Sequence, residues 1–343
     1  MNTSNISKIA FHREQWESRQ RLQIRIFRAT VAVGVLDAVW VVFVNLLLIC
    51  VILTSRRLRG VFRNQLIVNI AVSDLMIGLI CIPLKVDFAL NRRWNYGCTM
   101  HVAYQIIENY LQIFVASWCV VMVNFDFILE RLQIARPRLS GSCRTLLSVQ
   151  LLALPWAIAC IVIMPIIFAS LHPLWSVSSW SERYCPILLV RWATVTLSVL
   201  CFFLPCVIIL FQVGTILAVF YKKRPAGVAS LGLLTYSDSA RDTAVITSAS
   251  LVTVFMLCGE EIWFVMADYM GSSWTYHTMI ISGFIFGVCA DMKSAVLPIV
   301  WMALPEIWEN IKSNLRWRPW RSYVQHHDVE VTYYRNYGDD LSP

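Results

Sequence analysis

Seven apolar stretches lie at about 31–54, 65–84, 102–125, 145–171, 192–221, 243–267 and 278–304. Each is long enough to cross a bilayer core, which takes about 20 helical residues rising roughly 1.5 Å apiece. Backbone polar groups find no water in lipid, so these segments are expected to be helices. The fourth and fifth contain no charged residue, and the others carry one or two, tolerable where those groups face protein or water. Apolar residues make up 58% of the chain and charged residues 15%, too little polar surface to cover a soluble body of 343 residues. The expected fold class is therefore an all-α membrane protein, a seven-helix bundle over residues 31–304. Residues 1–30 read as a polar tail with six Lys or Arg and without the pattern of a signal peptide, so the first span is expected to be retained.

Orientation follows from the basic residues of short loops. The loops after the first, third and fifth spans hold Arg56, Arg57, Arg59 and Arg63; Arg131, Arg136, Arg138 and Arg144; and Lys222, Lys223, Arg224 and Arg241. The opposite loops hold only Arg92, Arg93, Arg183 and Arg191. Twelve against four places the N-terminus outside and the C-terminus in the cytoplasm of a multi-pass plasma-membrane protein. The basic N-terminal tail argues the other way but stands alone against three loops. Asn-x-Ser sequons at Asn2 and Asn5 fit an exterior, glycosylated tail. After the last span, residues 305–321 read as an amphipathic helix on the inner leaflet, with Ile307, Trp308, Ile311 and Leu315 on one face and a basic segment behind it. Residues 322–343 are polar and expected to be disordered.

The second span reads Asn64-Gln-Leu-Ile-Val-Asn69-Ile-Ala71-Val-Ser-Asp74-Leu75. Asn45, Trp156, Pro205 and Pro298 stand at matching places in the first, fourth, fifth and seventh spans, and Trp94-Asn-Tyr-Gly97 precedes the third. This set resembles the rhodopsin-like (class A) G-protein-coupled receptors, over about residues 35–315. Within that family the spacing looks most like the amine-receptor branch, muscarinic and histamine types included. The resemblance implies a small extracellular ligand, an amine among the candidates, and a heterotrimeric G protein within reach of the inner loops. It also implies a bridge from Cys98 to Cys185, which are the only cysteines in the expected exterior loops.

Counting from Asp74 through Trp94 puts Glu108 where amine receptors keep the carboxylate that meets the ligand's ammonium. Counting from Cys98 puts Gln105 there instead. A third reading makes Glu108 a polar group bonded within the bundle. Trp263, with Trp192 and Tyr110, is expected to wall the cavity, and Asp291 to lie near it. Glu260 and Glu261 are adjacent and point about 100° apart on a helix, so one of them faces the cavity.

Departures from the family pattern bear on signalling. Asp126-Phe-Ile stands in place of Asp-Arg-Tyr, and Glu130-Arg131 follows one turn later, within reach of a G protein if the third span runs long. Cys258-Gly-Glu-Glu261 replaces Cys-Trp-x-Pro, so the sixth span has no proline and no hinge of that kind. Leu297-Pro298-Ile-Val-Trp301 replaces Asn-Pro-x-x-Tyr, and Val213 replaces the fifth-span tyrosine. The scaffold residues are kept while most of the activation relay is not.

Charges inside spans need partners. Lys293 occupies a place where the family keeps a neutral amide beside a sodium site, and its ammonium is expected to reach Asp74 in a polar network with Asn45, Ser117 and Ser294. The alternative pairs Lys293 with Asp291. The leading functional reading is a receptor with atypical or weak G-protein coupling. The alternatives are a non-signalling seven-helix binding or scaffolding protein, and a proton-linked transporter, which the lack of an internal repeat disfavours. No motif calls for an enzyme, a cofactor, a metal or a nucleic acid.

Overall fold

The computed structural model describes residues 3–133, 141–170, 189–222, 233–270 and 275–315. Seven helices in it are long and apolar enough to cross a membrane: Glu14–Thr54, Phe62–Asn91, Gly97–Arg131, Val149–Ser170, Arg191–Lys222, Ser239–Trp263 and His277–Met302, called spans one to seven below. They match the seven apolar stretches in order. No strand of regular sheet occurs among the described residues. Span three lies at the centre, with 72% of its most apolar window buried against 22% for span four.

Two segments differ from the sequence expectation. The helix of span one starts at Thr3 and continues to Thr54, so most of the expected polar tail is helical. Residues 3–33 contain neither proline nor glycine, and nothing in them ends a helix. At 52 residues, this helix far exceeds the roughly 20 that a bilayer core takes. Span three also runs longer than its apolar stretch, and carries Glu130 and Arg131 inside its last turn.

Spans two, three, four and five each contain one π-helical turn, at Ile77–Cys81, Ile107–Leu111, Ala159–Ile163 and Val199–Phe203. In three of them a proline follows two residues later: Pro83, Pro165 and Pro205. A proline has no N–H and its ring crowds the carbonyl one turn back, and a widened turn relieves that crowding. The freed carbonyls then need donors from elsewhere. Pro205 orphans the Cys201 carbonyl, and Ser117 of span three donates to it at 3.2 Å. Pro298 orphans the Ser294 carbonyl, and the Asn45 amide of span one donates to it at 2.9 Å. Asn69 ties span two to span four in a similar manner, donating to the Leu152 carbonyl at 2.8 Å and accepting from the Trp156 indole at 3.1 Å. Several of the landmark residues thus repair or cross-link backbone.

The loop before span three is held by Trp94, whose indole donates to the Gly97 carbonyl at 2.7 Å. Gly97 has φ +73°, a conformation that side chains rarely adopt, which explains the glycine. After span seven a short helix, Pro305–Leu315, follows. Ile307 is fully buried in the main core while Trp308 is exposed, so its apolar stripe is split between bundle and surroundings.

Candidate functional site

The bundle interior carries three polar clusters at successive depths. The middle one is built on Asp74 of span two, which is fully buried. Its Oδ1 accepts from Lys293 Nζ at 2.9 Å, Ser294 Oγ at 2.9 Å and Gln112 Nε2 at 2.7 Å. Lys293 is 1% exposed. Burial costs each ion its hydration, and their contact together with the donors from Ser294 and Gln112 offsets that cost. Asn45 joins the cluster through Ser294, as described above. Ser117 does not: it donates to the Cys201 carbonyl of span five, and Gln112 stands at Asp74 in its place. The alternative partner of Lys293, Asp291, is bound elsewhere.

Asp291 belongs to the cluster nearer the Asn91–Gly97 loop. Lys85 of span two sits between two carboxylates, 2.7 Å from Glu108 of span three and 2.8 Å from Asp291 of span seven. Glu108 is inside the π-helical turn 107–111, the only one of the four without a following proline. The counts from Cys98 and from Asp74 disagree because Cys98 directly follows Gly97, so the two anchors fall too close together ahead of span three. Gln105 is half-buried one turn before Glu108. The Trp263 indole donates to Ser282 Oγ at 2.8 Å, and its ring lies so close to Gly283 that a Cβ there would meet it at 2.8 Å. Trp192 is 56% exposed and faces away from the interior. Tyr110 does pack against the main core, and Glu261 accepts from Ser198 of span five at 3.4 Å. Cys98 is disulfide-bonded. Its expected partner Cys185 lies outside the described residues, as does Asn2; Asn5 falls in the first turns of the long helix.

The third cluster lies at the opposite end. Arg63, buried in the first turn of span two, reaches Glu130 of span three and Glu306 of the last helix, both at 3.1 Å. Arg131 donates to Ser239 Oγ at 2.7 Å and lies 3.4 Å from Asp242, so it ties span three to span six, with its guanidinium over the Phe127 ring at 4.7 Å. Asp126 is 9% exposed, one turn deeper. Span six belongs to one unbroken helix, Leu233–Met270.

Sequence reading missed Lys85, Arg63, Gln112 and Asp242. Lys85 lies one residue past the apolar stretch 65–84, because Lys85 and Asp87 lower the local hydropathy, whereas the helix runs to Asn91. The available signal was spacing, since Lys85 follows Asp74 by about three helical turns and so shares its face approximately. Arg63 was counted as a loop charge, and nothing local marks it as buried. Among the described residues no group of His, Cys, Asp and Glu is arranged to hold a metal.

Comparison with known proteins gives one family and several partial relatives. The family described as "7 transmembrane receptor (rhodopsin family)" matches residues 44–300. Neuropeptide receptor 22 of Caenorhabditis elegans is 30% identical over 132 residues, 38% of this chain and 30% of that receptor. Human prokineticin receptor 1 is 27% identical over 123 residues, 35% of this chain and 30% of the relative. The human D(1B) dopamine receptor is 32% identical over 95 residues, 27% of this chain and 20% of the relative. The matched segments therefore span less than a third of each relative's own length.

Proposed function

As a member of the rhodopsin family of seven-transmembrane receptors, which are multi-pass plasma-membrane proteins and not enzymes, the chain has, we propose, a small extracellular ligand bearing a cationic group, an amine being the simplest case, and couples atypically to a heterotrimeric G protein. The observation that carries this reading is the Lys85 bridge. One ammonium lies between Glu108 and Asp291, a cluster with more negative than positive charge, half-buried and near the loop end of the bundle. A ligand cation entering there competes with Lys85 for a carboxylate, and by drawing one away loosens the tie between spans two, three and seven. Differential affinity for the tied and untied arrangements is what lets a ligand shift a receptor's conformational balance. Gln105, one turn from Glu108, is in place to hydrogen-bond the same ligand, and Trp263 to hold the neighbouring face of span seven.

The relatives include receptors named for peptides and one named for dopamine; a peptide side chain and a free amine both carry the cation that Glu108 and Asp291 would meet. This reading places the N-terminus outside, with glycans at Asn2 and Asn5 and a Cys98–Cys185 bridge, and the C-terminus inside. Glu130, Arg131 and Asp126 then face the G protein. Arg131 must leave Ser239 and Asp242 before span six can swing, and the unbroken helix of span six argues for weak coupling.

That same unbroken helix favours a second reading, a seven-helix binding or scaffolding protein that does not drive nucleotide exchange. Nucleotide exchange on G proteins, measured in membranes with no ligand and with a panel of amines and basic peptides, separates the two. The first reading expects exchange above background that Arg131→Ala alters. Its absence for every G-protein class, from well-folded surface protein, overturns it in favour of the second.

A further inference from the structure

Spans one, two and seven enclose a cavity of about 210 Å³ on the side of the bundle away from span five. Its polar floor is Asp37 of span one, Lys85 of span two and Asp291 of span seven. Its walls are apolar, Phe284 and Val86 among them, and Val33, which also lines it, is 38% exposed. Two glycines shape it. Gly34 lets spans one and two approach, since a Cβ there would meet Val86 at 2.6 Å; Gly287 faces open space, with nothing within 4 Å of where its Cβ would stand. Asp37 makes no hydrogen bond or ion pair among the described residues, whereas Lys85 and Asp291 are paired with each other.

An ionised carboxylate without a contacting partner in an apolar span is costly, and a cation that joins it removes that cost. Lys85 is held at contact distance by Asp291 and Glu108, so its single charge is shared among three carboxylates and leaves room for a further cation at Asp37. We infer that this cavity is a binding site for an amphiphilic amine, whose protonated head pairs with Asp37 while its alkyl chain lies along the apolar wall and leaves past Val33 between spans one and seven. The charge decides the class. Three carboxylates, Asp37, Glu108 and Asp291, stand around one ammonium, so a fatty acid or a phosphate head would be repelled and a cationic head attracted. The apolar walls disfavour a small, strongly hydrated cation without a chain. This site rests on the receptor reading above in that an occupant would compete with Lys85 for Asp291, but it is separate from the Glu108 end of the cluster.

The test uses the full-length protein in phosphatidylcholine nanodiscs with a photoreactive dodecylamine carrying a diazirine in its chain. Labelled peptides are mapped, and G-protein nucleotide exchange is read on the same preparations. Saturable labelling of the segments around Val33 and Phe284 is expected, competed by dodecylamine but not by dodecanol or dodecanoate. Asp37→Asn should lower labelling about tenfold or more, as expected for one charge-assisted hydrogen bond. Gly287→Leu should do the same by filling the cavity without altering a charge, while Gly214→Leu, where a Cβ also meets nothing within 4 Å, should leave labelling unchanged. Labelling that both cavity variants retain, or that dodecanol competes equally, overturns the site. Saturable, variant-sensitive labelling without nucleotide exchange upholds the site and counts against signalling; exchange without such labelling does the reverse.

Discussion

The two buried lysines make an instructive pair. Lys293 meets one carboxylate, Asp74, in a place that is nearly or wholly closed, and the surrounding donors from Gln112 and Ser294 converge on the same oxygen. Lys85 meets two carboxylates with a third, Asp37, lining the same cavity, and its side chain is 28% exposed. The first is balanced and shut, which suits a structural tie. The second is unbalanced and open, which suits binding. Identical side-chain chemistry thus serves opposite ends, and the difference lies in how many acids surround each ammonium and whether anything can reach it.

The largest effect should come from breaking the closed pair. Lys293→Met leaves Asp74 buried without its cation and should cost about 3–5 kcal/mol of stability, read as thermal unfolding in nanodiscs. Adding Asp74→Asn should return most of that loss, because the stranded charge goes too. If the single variant is as stable as the wild type, the pair is not the tie described. The same pair makes a prediction about salt: stability should be equal in sodium chloride and choline chloride, since the tethered ammonium already fills the place a cation would take. A clear sodium dependence that Asp74→Asn abolishes would end that account.

Lys85→Met should do less to stability, about 1–3 kcal/mol, because the site is partly open to solvent. Its larger consequence should be on binding. With Glu108 and Asp291 released, affinity for cationic ligands should rise about tenfold, the equivalent of 1.4 kcal/mol, in a competition assay. A fall instead would mean that Lys85 itself contacts the ligand. Smallest of all, Ser117→Ala and Asn45→Ala should each cost about 1 kcal/mol by stranding a carbonyl that a proline freed. Losses from these two that rival Lys293→Met would mean that backbone repair, more than charge, holds the middle of the bundle together.

The sequence made the architecture plain, because bilayer thickness and the lack of water within it restrict apolar stretches of this length to helices, and seven of them appear in the positions read. It also pointed to the contact of Lys293 with Asp74, since both lie in apolar surroundings that demand a partner. What it left open was register. Two anchors ahead of span three, Trp94 and Cys98, give different counts, and only the contact of Lys85 with Glu108 shows which position is drawn into the cluster.

By itself, then, the sequence determined the number and order of the spans and which charges needed company, because those follow from the cost of polar groups in hydrocarbon. Only the tertiary structure decided who met whom. Lys85 reached Glu108 and Asp291, Arg63 reached Glu130 and Glu306, and Ser117 turned to the Cys201 carbonyl. These contacts join residues far apart in the chain, and their geometry depends on turns and packing that no local pattern records.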